Sequence, residues 1–180
     1  MRQKYDAQIF ERESNAVLVT LLDMIDHSAV HEIQGHALDE MIAMTRSKVG
    51  LLYLVDTVAE SIHIELASVP GTPAHAVYPQ TTTNIGWSGY WSACLASGRP
   101  VIRNHRLDFG TPISREFATL NRELTIPVYD NDDLVAVILI GERVTQYDAI
   151  DVMALQYLAE IMWRVTVRKQ LFDKISDEVK

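Results

Sequence analysis

The segment from Arg122 to Arg168 constrains the fold more than any other part of this sequence. Two apolar runs, RELTIPVY and LVAVILIG, are separated only by DNDD, and a short polar turn between two such runs predicts an antiparallel hairpin. Every residue from Leu134 to Ile140 is apolar, whereas a strand with one solvated face alternates apolar and polar residues. This strand is therefore expected to be covered on both faces.

A long helix directly after the hairpin supplies one of the two covers. Asp148 is placed to cap its N-terminus, because a short side chain with an acceptor oxygen binds the free N–H groups of a first helical turn. The apolar residues of this helix recur on one stripe, which is formed by Leu155, Leu158, Met162 and Val165. The face of the sheet opposite this helix is where a functional site is expected.

The rest of the chain alternates short periodic runs with irregular segments. Helices are predicted at residues 6–27, 31–45 and 87–96, strands at residues 49–55, 62–67 and 101–103, and irregular segments at residues 69–85 and 104–114. Strands gathered between terminal helices predict one α+β domain, in which an antiparallel sheet has helices on one face and the irregular segments on the other.

Composition excludes several classes of protein. Sixteen basic and twenty-four acidic residues give a net charge of −8, so the chain lacks the positive field that attracts nucleic acid. No window is long and apolar enough for a membrane span and the start has no signal-peptide core, which favours a cytoplasmic protein. The single cysteine, Cys94, cannot form an internal disulfide, and no Cys/His spacing indicates a zinc site.

Two stretches resemble the GAF domain, a small-molecule sensory module of bacterial signalling proteins. GYWSACLASGRPVIRN is similar to the family's short helix followed by Gly-x-Pro-Val and a polar residue, here Gly98, Pro100, Val101 and Asn104. The hairpin and the long helix resemble the closing elements of GAF domains attached to sensor kinases and diguanylate cyclases. The likeness spans roughly residues 28–168. It departs from related sensory modules at Gly141, where GER stands in place of Gly-Asn-Lys.

The resemblance implies a GAF-like central antiparallel sheet with terminal helices on one face and a pocket roofed by the irregular segments on the other. The candidate ligand-binding residues are Trp87, Tyr90, Trp91, Ile102, Asn104, Phe117 and Leu124, with Arg122 or His105 as polar anchors. Arg122 adds a weak preference for an anionic or amide-bearing metabolite. The alternative for the aromatic residues is that they simply fill the core.

The function implied is small-molecule sensing or signal relay by a homodimer. Residues 1–27 would form an N-terminal dimerisation helix, residues 28–168 the sensory domain, and residues 169–180 a coiled-coil extension of the last helix. A kinase or cyclase output would lie on another part of the protein or on a partner. Ile161, Val165, Phe172, Ile175 and Val179, with Arg168 at one inward position, would form the helical seam.

Two other functions stay open at this point. A GAF-like domain without a ligand could serve only as a dimerisation scaffold, and some GAF proteins reduce free methionine sulfoxide with several cysteines, whereas this chain has Cys94 alone. We therefore expect no catalytic residue and no metal ligand. A haem-binding member would need His63, His75 or His105 as an axial ligand, and no feature of the sequence selects one, so the cofactor is left unassigned.

Overall fold

The computed structural model describes residues 2–69, 83–84, 91–105 and 120–178, and within these ranges it describes the side chains of residues 12–69, 91–105 and 120–178. The helices are α1 (Arg2–Met24), α2 (Val30–Thr45), α3 (Ser92–Ser97) and α4 (Ala149–Glu178). The strands are β1 (Val49–Asp56), β2 (Ser61–Ser68), β3 (Thr83–Asn84), β4 (Val101–Arg103), β5 (Glu123–Asp130) and β6 (Asp133–Gly141).

The six strands of the described residues form one sheet in the order β3-β2-β1-β6-β5-β4. All pairs are antiparallel. The hairpin predicted from the sequence is confirmed as β5 and β6, joined by a turn at Asn131 and Asp132. Asn131 has a φ of 56°, a left-handed conformation that asparagine tolerates better than most residues.

The sheet separates two hydrophobic cores. The core that contains the buried residues of α2 and α4 is called the helix-side core, and the core on the opposite face, which contains Trp91 and Cys94, is called the far-side core. Strand β6 contributes to both, because Ile138 lies in the helix-side core and its neighbour Leu139 lies in the far-side core. The α+β fold with a strand buried on both faces is therefore confirmed.

Helix α2 approaches the sheet closely at Gly50. A Cβ atom at this position would lie 2.7 Å from Cδ1 of Ile42 and 3.0 Å from Cδ1 of Leu38. The glycine therefore allows α2 to lie directly on β1.

Asp148 caps α4 as the sequence predicts. Its Oδ1 accepts the backbone N–H groups of Ile150 at 2.8 Å and Asp151 at 3.2 Å, while Oδ2 of Asp151 accepts the N–H of Asp148 at 2.9 Å. This reciprocal pair satisfies donors that the first turn of a helix otherwise leaves free. Helix α4 then runs for 30 residues without a break, further than a core of this size requires.

The predicted helical seam needs a correction. Ile161 and Val165 are buried in the helix-side core of their own chain, because the face of α4 that carries them packs on the other helices and the sheet. Phe172 and Ile175 are 44% and 62% exposed. Val179 lies outside the described residues.

Further findings concern where the smaller elements begin and end. The first helix ends at Met24 rather than near residue 27, because Ala29 already takes an extended conformation and its N–H donates to the Glu32 carboxylate at 2.7 Å to cap α2. Helix α3 begins at Ser92 and ends at Ser97, and Gly98 caps its C-terminus with a φ of 61°. Strand β3 lies within the segment predicted to be irregular and was not anticipated. No helix among the described residues is both long and apolar enough to cross a membrane.

Candidate functional site

Strand register decides which predicted site residues share a face of the sheet. Ile102 is paired with Leu124, and directly opposed residues on antiparallel neighbours point to the same side. Leu124 is fully buried in the helix-side core, so Ile102, which is 36% exposed at the sheet edge, faces that side as well. These two residues lie on the side of the terminal helices, away from the far-side core in which the pocket was expected.

Asn104 lies two residues after Ile102, and its side chain also makes its hydrogen bonds on the helix side. Its Nδ2 donates to the backbone carbonyl of Tyr147 at 3.1 Å, and its Oδ1 accepts the N–H of Tyr147 at 2.8 Å. Both polar atoms of the Asn104 amide are thus used to hold the segment that leads into α4, where Tyr147 is 3% exposed.

The two predicted polar anchors lie in different surroundings. Nη1 of Arg122 donates to the carbonyl of Arg143 at 3.2 Å, so this guanidinium also holds the segment before α4. His105 is exposed just beyond the end of β4. Neither residue belongs to the far-side core.

Trp91 is the predicted site residue that the structure brings into the far-side core. It is fully buried, and its ring packs against Tyr53 with a centroid distance of 5.3 Å and an interplanar angle of 51°. Its indole Nε1 finds no hydrogen-bond partner among the described residues. The other aromatic candidates, Trp87, Tyr90 and Phe117, lie outside the described residues.

A buried ion pair that the sequence analysis missed lies on the same face as Trp91. Arg103 is paired with Glu123 across β4 and β5, and its Nη1 lies 2.5 Å from Oε1 of Glu123. The two side chains are 17% and 3% exposed. Next along this face, Thr125 is fully buried and opposes Val101, which packs against the far-side core.

Burial dominates the electrostatics of this region. It raises the pKa of Glu123 from its usual 4.5 to about 7, although the Arg103 guanidinium acts in the opposite direction. Burial likewise raises the pKa of Cys94 from 9.0 to about 12, against the opposing charge of Arg103. Cys94 is therefore held as a neutral thiol. No group of three or more His, Cys, Asp or Glu side chains within the described ranges could hold a metal ion.

The segment between β6 and α4 is tied to these strands from the helix side. Besides the contacts of Asn104 and Arg122, Nη1 of Arg143 lies 2.5 Å from Oδ2 of Asp151 in the first turn of α4. The hydroxyl of Tyr147 forms a 2.7 Å hydrogen bond with Ser47, just beyond α2. Arg143 is part of the GER departure noted above, and this ion pair gives it a structural role.

Comparisons with known proteins agree with this architecture. The sequence matches the family model described as "GAF domain" over residues 27–166. The chain therefore belongs to the GAF domain family. It is 28% identical over 177 residues to the methyl sulfide methyltransferase-associated sensor of Methanosarcina acetivorans. That alignment covers 94% of this chain but only 18% of the relative, so the chain corresponds to a small part of that protein.

Solved structures show the same fold at low sequence identity. The free methionine-R-sulfoxide reductase of Neisseria meningitidis superposes with a TM-score of 0.64 at 15% identity, covering 88% of this chain and 90% of that one. The GAF domain of an Acinetobacter phosphoenolpyruvate-protein phosphotransferase gives 0.64 at 13%, with coverages of 89% and 97%. The GAF domain of a Bacillus halodurans two-component sensor histidine kinase gives 0.55 at 18%, with coverages of 76% and 95%.

Proposed function

We propose that this chain is a sensory GAF domain that binds a small molecule in its far-side core and relays binding to α4. The observation that carries the proposal is the position of the buried Arg103–Glu123 ion pair. The next residue after Arg103 is Asn104, which binds the Tyr147 backbone, and the residue before Glu123 is Arg122, which binds the Arg143 carbonyl. A ligand that displaces the ion pair on one face would therefore pull on the start of α4 from the other face.

The output of the sensor would come from another part of a larger protein or from a partner, for which a kinase or a cyclase is the kind we expect. The sensor from Methanosarcina acetivorans supports this arrangement, because this chain aligns with only 18% of its length. In this scheme, the part of α4 beyond the core carries the signal to the output.

A homodimer through α1 and α4 is the second part of the proposal. A groove of about 280 Å³ between these helices is lined in part by Leu18, Leu22 and Tyr157. One face of α4 carries Tyr157, Arg164 and Leu171 at intervals of seven residues, and Arg168 and Ile175, also seven apart, continue the same face. Because both series continue past the core, a second copy of this chain is the partner that fits this face.

An enzymatic function of the sulfoxide reductase type is less well supported. The fold is shared with such enzymes, but Cys94 is the single cysteine of the sequence and its thiol is fully buried. A nucleophilic cysteine needs a lowered pKa, whereas burial raises the pKa of Cys94 to about 12. We therefore propose a non-enzymatic domain.

Thermal shift of the purified chain against a metabolite panel tests ligand binding. A specific ligand at 100 times its Kd should stabilise the fold by roughly 2.7 kcal/mol. Trp91→Ala should remove this response in a protein that still gives a cooperative unfolding transition. If no compound stabilises the wild-type protein, the alternative of a ligand-free dimerisation scaffold becomes the better description.

A further inference from the structure

A groove of about 570 Å³ lies between the end of β5 and the middle of α4. Its volume is within the range of about 300–1,000 Å³ that is typical of small-molecule sites. It is separate from the far-side core, in which the ligand of the proposed sensory function would bind. Its lining includes Val128, Asp130, Ala159, Glu160, Trp163 and Arg164.

The short length of β4 and the small side chain of Ala159 explain why this space is open. Strand β4 pairs with residues 123–125 of β5, and no described strand continues this pairing along the later part of β5. Val128 and Asp130 are two residues apart on β5, so they point to the same face, on which α4 lies. Ala159 and Trp163 are four residues apart on α4 and share the face that lines the groove. A side chain as short as that of Ala159 leaves space between the helix and the strand.

Trp163 gives the groove an aromatic surface. The residue is half-buried and packs in part against the helix-side core. Its Nε1 atom is shielded from solvent, so the exposed part of the side chain is carbon. The face of an indole ring is electrostatically negative and attracts cations more strongly than the other aromatic side chains do. Trp163 therefore favours an apolar or cationic group over an anion.

Asp130 gives the groove a carboxylate that no cation neutralises in the described part of the chain. Its Oδ1 accepts a hydrogen bond from Nδ2 of Asn131 at 3.3 Å. The strand register places Asp130 opposite Asp133, so two carboxylates face each other at the end of the hairpin. The hairpin sequence from residue 123 to residue 141 contains no basic residue. This end of the groove is therefore negative.

The basic side chain of the lining is already paired. Nη2 of Arg164 lies 2.5 Å from Oε1 of Glu160, one helical turn earlier on α4. The lining thus has two carboxylates, those of Asp130 and Glu160, against one guanidinium. One negative charge is left in excess, and it belongs to Asp130.

We propose that the groove between β5 and α4 binds a small organic cation, in which an ammonium group is attached to an apolar body. The ammonium group lies beside the Asp130 carboxylate, and the apolar body lies on Val128 and on the ring of Trp163. Both contacts are available to one molecule because these residues line one cavity. The groove is on the opposite side of the sheet from the proposed sensory pocket, so this inference does not rest on that function.

Three compounds of similar shape and different charge test the proposal in the purified full chain. Choline is the cation, 3,3-dimethylbutan-1-ol is its uncharged analogue, and 3,3-dimethylbutanoate is an anion with the same branched end. We expect choline to raise the Tm and, by calorimetry, to bind roughly tenfold or more tightly than the alcohol. Equal binding of choline and the alcohol would overturn the preference for a cation. Tighter binding of the anion, or no binding of choline at millimolar concentration, would overturn the proposal as well.

Asp130→Asn locates the binding. Asp130 is the residue to change because Glu160 and Arg164 also line the groove between α1 and α4. The variant keeps the shape of the side chain and removes the repulsion with Asp133, so the apo Tm should not fall. Choline affinity should fall roughly fivefold or more.

Asp132→Asn is the matched control for the charge. It removes the same charge two residues away, at an exposed position of the turn that does not line the groove, and should leave choline affinity nearly unchanged. Trp163→Leu keeps an apolar side chain without the aromatic ring and should also weaken choline binding in a protein that still unfolds cooperatively. Unchanged choline affinity in Asp130→Asn, or an equal loss in Asp132→Asn, would overturn the proposed site.

Discussion

Arg103 and Asn104 are consecutive residues whose side chains bind on opposite faces of the sheet. Arg103 pairs with Glu123 on the far side, and Asn104 binds both backbone groups of Tyr147 on the helix side. Successive side chains of an extended chain point to opposite faces, so these two contacts are made from one peptide unit. The proposed ligand region and the start of α4 thus meet at a single peptide bond.

Asn104→Ala should loosen the segment before α4. The change removes two hydrogen bonds to Tyr147 and leaves a partly buried carbonyl unpaired, so the free energy of unfolding should fall by about 1–3 kcal/mol. The amide of Tyr147 should also exchange with deuterium much faster than in the wild-type protein. Asn15→Ala, at an exposed position of α1, is the control. Unchanged exchange at Tyr147 would contradict the role given to Asn104.

Stability should fall as the pH rises through the range in which Glu123 titrates. Because burial raises the pKa of Glu123 in the folded protein from 4.5 to about 7, the folded state binds the proton more tightly than the unfolded state. The contribution of this group is complete below pH 4.5 and is lost by about pH 7; it is on the order of 3 kcal/mol at 1.4 kcal/mol per pKa unit.

Urea unfolding between pH 4.5 and 8 measures this dependence. Glu123→Gln cannot titrate, so its free energy of unfolding should decline less than that of the wild-type protein over the same range. Glu160→Gln is the control, because the Glu160 side chain is 56% exposed. If Glu123→Gln and the wild-type protein give parallel profiles, the carboxyl is ionised throughout and the raised pKa is refuted.

Cys94 should behave as a structural thiol. Because it is fully buried with a raised pKa, it should react slowly with a disulfide reagent in the native protein and rapidly once the protein is unfolded. Cys94→Ala should lower the free energy of unfolding by about 1 kcal/mol through a small cavity. Fast native labelling, or loss of signalling in a folded Cys94→Ala protein, would revive the enzymatic alternative.

The proposed dimer should depend on the exposed apolar residues of α4. Leu171 is 57% exposed on the proposed interface, and Leu171→Glu should shift the mass measured by light scattering at tens of micromolar towards the monomer. Gln170→Glu introduces the same charge next to it but on a different face of the helix, and should leave the dimer intact. A monomeric wild-type protein would rule out this part of the proposal.

The fold could be predicted because its strongest signals are local. The fully apolar run from Leu134 to Ile140, beside a short polar turn, indicates a strand covered on both faces, and Asp148 before an apolar stripe indicates a helix start. The hairpin, the last helix and the two-sided sheet follow from these patterns, which involve residues close in sequence. The GAF resemblance added the expectation of a pocket roofed by the irregular segments.

The site was harder to predict because it depends on strand register. A shift of one residue moves every side chain to the other face, and for this reason Ile102 and Leu124 were expected on the wrong side relative to Trp91. A usable signal did exist in β5, where Glu123 and Thr125 alternate with the apolar residues Leu124 and Ile126. Buried polar side chains need hydrogen-bond or ion-pair partners, so polar residues on one side of a buried strand indicate the face on which such partners lie.

Contacts between residues far apart in the sequence could not be predicted from it. The two hydrogen bonds between Asn104 and Tyr147 join residues that are 43 positions apart, and nothing near either residue indicates its partner. The pairing of Arg103 with Glu123 spans 20 positions for the same reason. Such contacts follow only once the sheet order is known.

Because α4 is long and unbroken, a small rotation at its start would move its far end by a larger distance. Thirty residues at 1.5 Å each extend about 45 Å from the cap at Asp148, and the described helix contains no glycine or proline at which it would bend. A tilt of about 5° at its base would therefore sweep its tip through about 4 Å, by the same helical rise. In the proposed sensor, a small tilt of α4 would therefore reposition whatever the far end of this helix contacts.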